Sequence, residues 1–463
     1  SRLLPVYREY ERGMTTWLNA YIGPLMQGYL QRLIKQLDKT SLSIMRSSGD
    51  TCDAMQAGQE AVHLLLSGPA GGLTAAHYLK DDLTRPGLLT FDMGGTSTDV
   101  ALMDGEIELT GDAKIAGYPV GVPMVNMHTI GAGGGSIAYV DAGGLLQVGP
   151  NSAGASPGPA CYGQGGESAT VTDANLILGR IPTDIKLGEH LTINVDAADQ
   201  AIGKLTQRLG LASNRETALG IINVANEHMA QALRVISVER GIDPRQFSLM
   251  AFGGAGGLHV CELAEKLEMN HAVVPNRAGV LSAFGMLVAK PGRQFTKTLS
   301  CLLSEIDDAG IESVINEIAE QGKTALLQEG YQYGDMTLNP MLELCYRGQA
   351  SVLSIDWSDK VRAEALFHQR HQQRYGHKLE TAVELVNVRV GIRVDQGLSL
   401  TDKANNNEPV SPVSGNVLPR SCLKTGQVLE GEMIIRDLDA TTWVAEGWSA
   451  SVDVFDHLLL EKQ

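Results

Sequence analysis

The 463 residues carry 37 lysines and arginines against 53 aspartates and glutamates, a formal charge of −16, with 43% hydrophobic and 19% charged residues. No Lys/Arg run or basic stripe offsets that acidic balance, which argues against nucleic acid or an anionic membrane as partner. No apolar run approaches the roughly 18 residues of a membrane helix, and the opening residues hold no signal-peptide core, so a cytoplasmic location is expected. Cys52, Cys161, Cys261, Cys301, Cys345 and Cys422 are scattered without any C-x-x-C, which fits reduced thiols rather than structural zinc. The length has room for about three domains at roughly 150 residues each. Glycine, at 52 residues, exceeds its average share of about 7%, and it is clustered.

Apolar residues recur at helical spacing from Tyr7 through Tyr10, Met14, Trp17, Leu18, Tyr21, Leu25, Tyr29 and Leu33 to Leu37. Gly23-Pro24 interrupts them, predicting two helices or one bent helix with its aromatic stripe in the core. Leu42–Met45 reads as a strand and Ala54–Ala61 as a helix capped by Asp53. Leu64–Leu66 reads as a buried strand entering Gly68, Gly71 and Gly72 ahead of a helix from Leu73 to Leu79. Those glycines suit either an anion site at a helix N-terminus or close packing of helix on strand.

Leu88–Thr110 carries the strongest signal: a strand ending on Asp92, the turn Gly94-Gly95-Thr96-Ser97-Thr98, and a returning strand Val100–Met103. Asp104-Gly105 then predicts a hairpin to a third strand. Glycines let main-chain N–H groups approach an anion, the hydroxyls add donors, and a strand-end carboxylate can hold hydrated magnesium or orient a water. The next stretch, Val125–Ser136, contains His128 and a possible second phosphate-facing loop, Gly133-Gly134-Gly135-Ser136. His128 suits a ligand or acid/base role, or a hydrogen-bonded core position. Pro157–Gly163 is an ordered loop or a lid; Cys161 within it has no partner base identifiable from sequence.

Ala197–Leu209 and Ala218–Arg240 read as helices, the second stopped by Gly241. Phe247–Phe252 is a strand feeding Gly253-Gly254-Ala255-Gly256-Gly257 and a helix from Leu258 to Leu267. Glycines at such a junction let a base or ribose lie against backbone. A strand at His271–Val274 and an apolar helix at Val280–Ala289 follow. Beyond Gly292 the glycine clusters disappear. Helices at Ile311–Glu329 and Val361–Tyr375, strands at Met341–Tyr346, Ala350–Ile355 and Glu384–Val394, a polar linker or loop at Lys403–Pro412 and short strands in Gly431–Val454 suggest a C-terminal α+β domain that packs on, or extends, the nucleotide-type domain. The expected division is a helical lead-in over 1–60, a nucleotide-type α/β domain over 61–290 and the α+β domain over 291–463.

A phosphate loop followed by an adenosine-type turn resembles the second half of the actin, sugar kinase and heat-shock ATPase superfamily, with its ribonuclease-H-like mixed sheet and flanking helices. More specifically, the chain resembles the hydantoinase A / oxoprolinase family. The resemblance rests on Arg8–Arg12, Ser67–Ala70, Phe91–Val100, His128–Ile137, Pro157–Tyr162 with Thr172–Asn175, Ser237–Gly241, Ala251–His259 and Tyr346–Gln349. It implies ATP-dependent opening of a cyclic amide or imide, such as a hydantoin, oxoproline or other lactam, through phosphorylation of the carbonyl oxygen. Carboxylation of a ketone and a non-catalytic nucleotide-binding or assembly role are the alternatives.

By the same resemblance Asp92, Gly94, Gly95, Thr96 and Ser97 face phosphate and magnesium or another divalent metal, with Asp92 the metal ligand. Gly253, Gly254, Gly256 and Gly257 face adenosine, while His128 and Gly133–Ser136 line the cleft. Asp92, Asp99 and His128 are the candidate catalytic residues. A B-type subunit and an oligomer are the implied assembly. Two positions depart from the family's pattern: Asn126 stands where Asp is expected, and an amide cannot replace an anionic ligand; Gly257 stands where proline is expected. The family's N-terminal lobe, which carries a first such phosphate loop, has no counterpart here, so another lobe or chain is expected to complete the phosphate clamp.

Overall fold

The computed structural model describes residues 3–37, 40–83, 87–115, 117–183, 186–187, 191–395 and 416–463. The segment expected as a linker, 403–412, lies outside them. Among the described residues no helix is long and apolar enough to cross a membrane. Internal contacts divide the chain into two units, each assembled from separated stretches. The first takes the chain up to Ala75, Ile107–Asn126 and the stretch from Ser282 through the strand Val383–Val394; the second takes Ala76–Glu106, Met127–Leu281 and the C-terminal residues 416–463.

The second unit is a mixed α/β fold on an eight-stranded sheet. Its spatial order is Val428–Glu430, Trp448–Val452, Leu458–Lys462, His271–Val274, Ser248–Phe252, Gly87–Met93, Thr98–Asp104 and His128–Ile130. Ser248–Phe252 runs parallel to both its neighbours and the remaining pairs are antiparallel. The two central strands are near-continuous runs of buried residues, as expected for strands covered on both faces. Helices Val195–Leu209 and Asn214–Ile236 start at the caps Asn194 and Ser213, whose side chains accept from Ala197 N–H and Glu216 N–H. The tail, expected in a C-terminal α+β domain that packs on or extends the nucleotide-type domain, supplies three strands of this sheet: a strand finds its place by pairing with an open edge, which chain position does not specify.

In the first unit an antiparallel sheet, ordered Gly292–Leu302, Val383–Val394, Met336–Tyr346 and Leu353–Asp356, packs one face on helices Asp308–Gln328 and Lys360–Tyr375. Gly292–Leu302 is a strand the sequence reading did not include. It carries Arg293, Gln294, Lys297 and three hydroxyl side chains, so its apolar signal is weak.

Glu9–Leu37 is one continuous helix that keeps Pro24 inside it. Its tight contacts are made by Thr15, Gly23 and Leu30, and it packs on Ala54–Gln59 and the turn Ala61–Leu64. The aromatic stripe expected in the core lies outside it: Tyr10 and Tyr21 are each 67% exposed and Trp17 48%. Helical periodicity identifies an apolar face but not what lies over it. Leu64–Leu66 is likewise no strand. A 3-10 turn over Ala61–Leu64 leads to Leu66 at φ +58, and the glycines sit inside the helix Ser67–Leu79. Gly71 is there for packing: a Cβ on it would lie 2.6 Å from Ser282 O, and one at Gly285 would overlap the Gly71 carbonyl, whereas a Cβ at Gly68 would meet nothing. The third hairpin strand after Gly105 is absent too; Leu109–Thr110 pairs with Met124–Val125.

Candidate active site

The Asp92 loop sits at the end of the sheet's central hairpin. Strand Gly87–Met93 is buried except at Asp92, and its register with Thr98–Asp104 sets Asp92 directly opposite Asp99. Thr129 continues the row from the next strand. Directly opposed residues share a face, so two carboxylates and a hydroxyl line one edge of the site. Burial pushes the Asp99 carboxyl up from the ordinary aspartate range, while a hydrogen bond from Thr129 Oγ1 at 2.5 Å acts in the other direction. Like charges opposed on adjacent strands are unfavourable unless a cation or proton joins them.

Between these strands Gly94 N–H donates to Ser97 O at 3.1 Å, closing the turn. Gly95 and Thr96 are exposed, and among the described residues no acceptor takes the N–H groups of Gly95, Thr96 or Ser97. Among the described residues no group of three or more His, Cys, Asp or Glu stands ready to hold a metal on protein ligands alone. Two carboxylates, Asp92 and Asp99, would hold a magnesium ion through part of its shell, leaving its other positions to waters and phosphate oxygens.

Gly133–Ser136 lies beside this loop but has its donors engaged. Gly134 N–H bonds Gly94 O at 2.9 Å, Gly135 N–H bonds Gly95 O at 2.6 Å, Gly133 N–H bonds Ser136 Oγ and Ser136 N–H bonds Gly133 O. A Cβ at Gly133 would lie 2.8 Å from the backbone of Thr96 and Ser97. These glycines buttress the Asp92 loop, their N–H groups taken up by protein acceptors. Thr172 holds them in turn, its N–H and its Oγ1 both donating to Gly134 O at 2.8 Å.

The Gly253–Gly257 turn meets the same loop from the other side. Gly253 has φ +77, and a Cβ there would collide with the Asp92 carboxylate; Ala255 N–H donates to Met93 O at 3.1 Å. A Cβ at Gly257 would come within 2.7 Å of Thr441 O and Thr442 Oγ1. That contact gives Gly257 a packing reason at the position where proline was expected. Gly253 and Gly257 are thus committed to neighbouring protein atoms, and Gly254 is the exposed position in the turn. Near it stands Asp439, whose buried Oδ1 has no hydrogen-bond partner and whose carboxyl is pushed up by burial.

The structure does not bring His128 to the carboxylates. His128 pairs with Val100, one residue out of phase with Asp99, so it leaves the sheet on the opposite face. It is half-buried rather than a core residue. Asn126 belongs to the other unit, where its Nδ2 donates to Glu108 Oε2 at 2.8 Å. The Pro157–Gly163 loop is pinned: Asp173 accepts from Ala160 N–H, Cys161 N–H and both Thr170 donors. Burial, then the nearby Asp173, pushes the Cys161 thiol far up, which removes it as a nucleophile.

A buried polar chain that the sequence reading missed joins these pieces. His259, fully buried, contacts Asn175 Nδ2 through Nε2 at 3.2 Å and Asn226 Oδ1 through Nδ1 at 2.6 Å. Asn226 and Arg180 both donate to Glu262, and the Arg180 guanidinium stacks 5.6 Å from the Trp443 ring centre. Burial pushes His259 down to about 3, so it is neutral. Asn175 and Thr172 share the helix Val171–Ile177, and His259 directly follows the Gly253–Leu258 turn. The chain therefore ties the two glycine turns together from behind. Only its place within the Ala251–His259 stretch marked His259 in the sequence.

The sequence model of the hydantoinase/oxoprolinase family matches residues 12–294. The chain is 34% identical over 486 residues to the caprolactamase subunit alpha of Pseudomonas jessenii, covering 97% of this chain and 70% of that protein. With a 5-oxoprolinase of Dictyostelium discoideum it shares 30% identity over 447 residues, 89% of this chain and 35% of that protein. The crystal structure of the ATP-dependent caprolactamase from P. jessenii superposes with a TM-score of 0.86 at 31% identity, covering 99% of this chain and 71% of that one. Nucleotide-free acetone carboxylase superposes at 0.74 and 24% identity, covering 99% and 70%, which is a likeness of fold. The two superpositions bear out the actin-like ATPase type of fold, and with the family match over more than half its length the chain belongs to the hydantoinase/oxoprolinase family.

Proposed function

We propose that this chain is an ATP-dependent cyclic amide hydrolase subunit that activates the carbonyl of a lactam, hydantoin or oxoproline-like ring by phosphorylation. The observation that carries the reading is the Asp92 loop, whose exposed residues Gly95 and Thr96 follow the opposed Asp92 and Asp99 pair of the hairpin. The main-chain N–H groups of that loop orient the phosphate being transferred, and Asp92 and Asp99 hold magnesium, which would supply neutralisation of phosphate charge. Gly254, the exposed position of its turn, offers a backbone face for the nucleoside.

The chemistry follows from the weakness of an amide as an electrophile. Transfer of the terminal phosphoryl group to the carbonyl oxygen leaves ADP and turns that oxygen into part of a leaving group. Attack of water on the carbonyl carbon and cleavage of the C–N bond give the free amine and an acyl phosphate, which a second water hydrolyses to the carboxylate and inorganic phosphate, so that two waters, one lactam and one ATP yield the open amino acid, ADP and phosphate. The relatives named for caprolactam and oxoproline support this reading over ketone carboxylation, for which the likeness is one of fold. A loop with Gly95 and Thr96 exposed is half of a phosphate clamp, and we assign the other half to a second lobe or chain, with a B-type subunit in the assembly.

The test is lactam-dependent phosphate release by the complete assembly. Asp92→Asn is expected to lower it by roughly 100-fold or more without changing the melting temperature by more than a few degrees. Full activity in that variant, or turnover with ketones and bicarbonate alone, would overturn the proposal.

A further inference from the structure

Helix Glu9–Leu37 carries no charged side chain between Arg12 and Arg32. Tyr10, Trp17, Tyr21, Leu25 and Tyr29 recur along it at spacings of seven and four residues, which places them on one face over about 28 Å of helix. All five face solvent, Leu25 at 72% and Tyr29 at 49% continuing the outward surface past Tyr21. The rings are already ordered against one another. Trp17 stacks on Tyr21 with ring centres 5.7 Å apart, and it lies 5.7 Å from Tyr118, a further exposed ring, on strand Tyr118–Val120. The chain packs on the opposite side of the helix, where Thr15, Gly23 and Leu30 are buried.

A helix with one face in water normally carries charge there. At roughly 150–250 Å² per aromatic side chain, the exposed parts of the four helix rings come to about 350–600 Å². That equals the largest apolar patch on a typical monomer, which is often a contact surface. Aromatic enrichment with charge depletion is the composition of a permanent interface, which resembles a domain core cut in half. Rings held in place beforehand also lose little freedom when covered.

The relatives indicate what covers them. The caprolactamase subunit alpha of P. jessenii continues beyond the part that this chain matches, which is 70% of it, while 97% of this chain lies within the match. In that relative the unmatched part and the counterpart of this helix belong to one polypeptide, so a contact between them is permanent, as the uncharged aromatic face requires. We propose that the face bearing Tyr10, Trp17, Tyr21, Leu25 and Tyr29 is the docking surface for a lobe of that kind, which covers the rings with an uncharged apolar surface of its own. The inference rests on the reading of a second phosphate-binding lobe for what the docked lobe does, and not for the contact itself.

Co-expression of this chain with the unmatched part of the P. jessenii subunit tests it, with assembly read by size-exclusion chromatography and light scattering. A one-to-one complex is expected. In a Tyr21→Cys variant, iodoacetamide labelling at position 21, read by peptide mass spectrometry, should slow by roughly tenfold or more in the complex relative to the chain alone. Tyr21→Glu should weaken assembly by roughly tenfold or more. Val361→Glu, at an exposed position of helix Lys360–Tyr375, should leave it unchanged; dichroism and melting confirm that each variant is folded. No complex, labelling at position 21 as fast in the complex as in the chain alone, equal loss in Val361→Glu, or a dimer of this chain alone that Tyr21→Glu breaks would each overturn the docking assignment. A complex with position 21 protected but without lactam-dependent ATP hydrolysis once a B-type subunit is added would leave the docking surface standing and count against the proposed activity. Such hydrolysis with position 21 unprotected would do the reverse.

Discussion

Asp99 faces Asp92 across the central hairpin and is stabilised in its protonated form by burial, so its carboxyl titrates above the ordinary value of 3.8. Between those two values the native state binds more protons than the unfolded chain, and stability therefore falls as pH rises through that window. Above it the cost of the buried charge is fully present. Asp99→Asn removes that cost, and thermal melts at pH 7 are expected to show a more stable protein with a flatter stability profile on the acid side; a less stable variant at pH 7 would count against the arrangement. Asp92 and the loop were legible in the sequence because a glycine-hydroxyl turn after a strand has few other uses. The opposition of Asp99 to Asp92 was not, since register depends on turn geometry. The same register removes His128 from the carboxylates, which spacing alone had left open.

Helices and turns place these residues through close backbone approach and buried polar links. The pairing of Ser67–Leu79 with Leu281–Val288 depends on Gly71 and Gly285. Gly285→Ala drives a methyl group into the Gly71 carbonyl and is expected to cost about 1–3 kcal/mol or more, read as a lower midpoint in urea unfolding. A strand-glycine-helix pattern and a glycine-bearing helix pair look alike in sequence, because both need a missing Cβ. The His259 chain acts at the same scale. Its ring is neutral in the fold, down at about 3 against 6.5, so its contribution is fully present above 6.5 and is lost as pH falls toward 3. His259→Gln should flatten that acid limb in a pH series of melts. His259→Ala, which leaves Asn175 and Asn226 short of partners, should cost about 1–3 kcal/mol at pH 7.

At the scale of the whole molecule, the phosphate loop, its buttress and the glycine turn belong to one unit, whose sheet is completed by strands from the C-terminal tail. In the Asp92 loop Gly95 and Thr96 are exposed. The isolated chain is therefore expected to bind ATP weakly and to show no lactam-dependent hydrolysis, with both gained when a second phosphate-binding lobe or chain is added. A micromolar dissociation constant for ATP on this chain alone, measured by calorimetry, would contradict the half-clamp geometry. The family, the fold type and the strand-turn-strand form of the Asp92 stretch were determined by the sequence itself, because glycine placement, hydroxyl runs and strand-length apolar segments are local and carry their physics with them. The tertiary structure alone decided which carboxylates face each other, that Gly133–Ser136 spends its donors on the loop, that the helix Glu9–Leu37 turns its aromatic residues outward, and that the tail joins the central sheet. Each of those outcomes rests on pairing, register or packing between residues far apart in the chain, where many partners are chemically equivalent and only the folded geometry selects one.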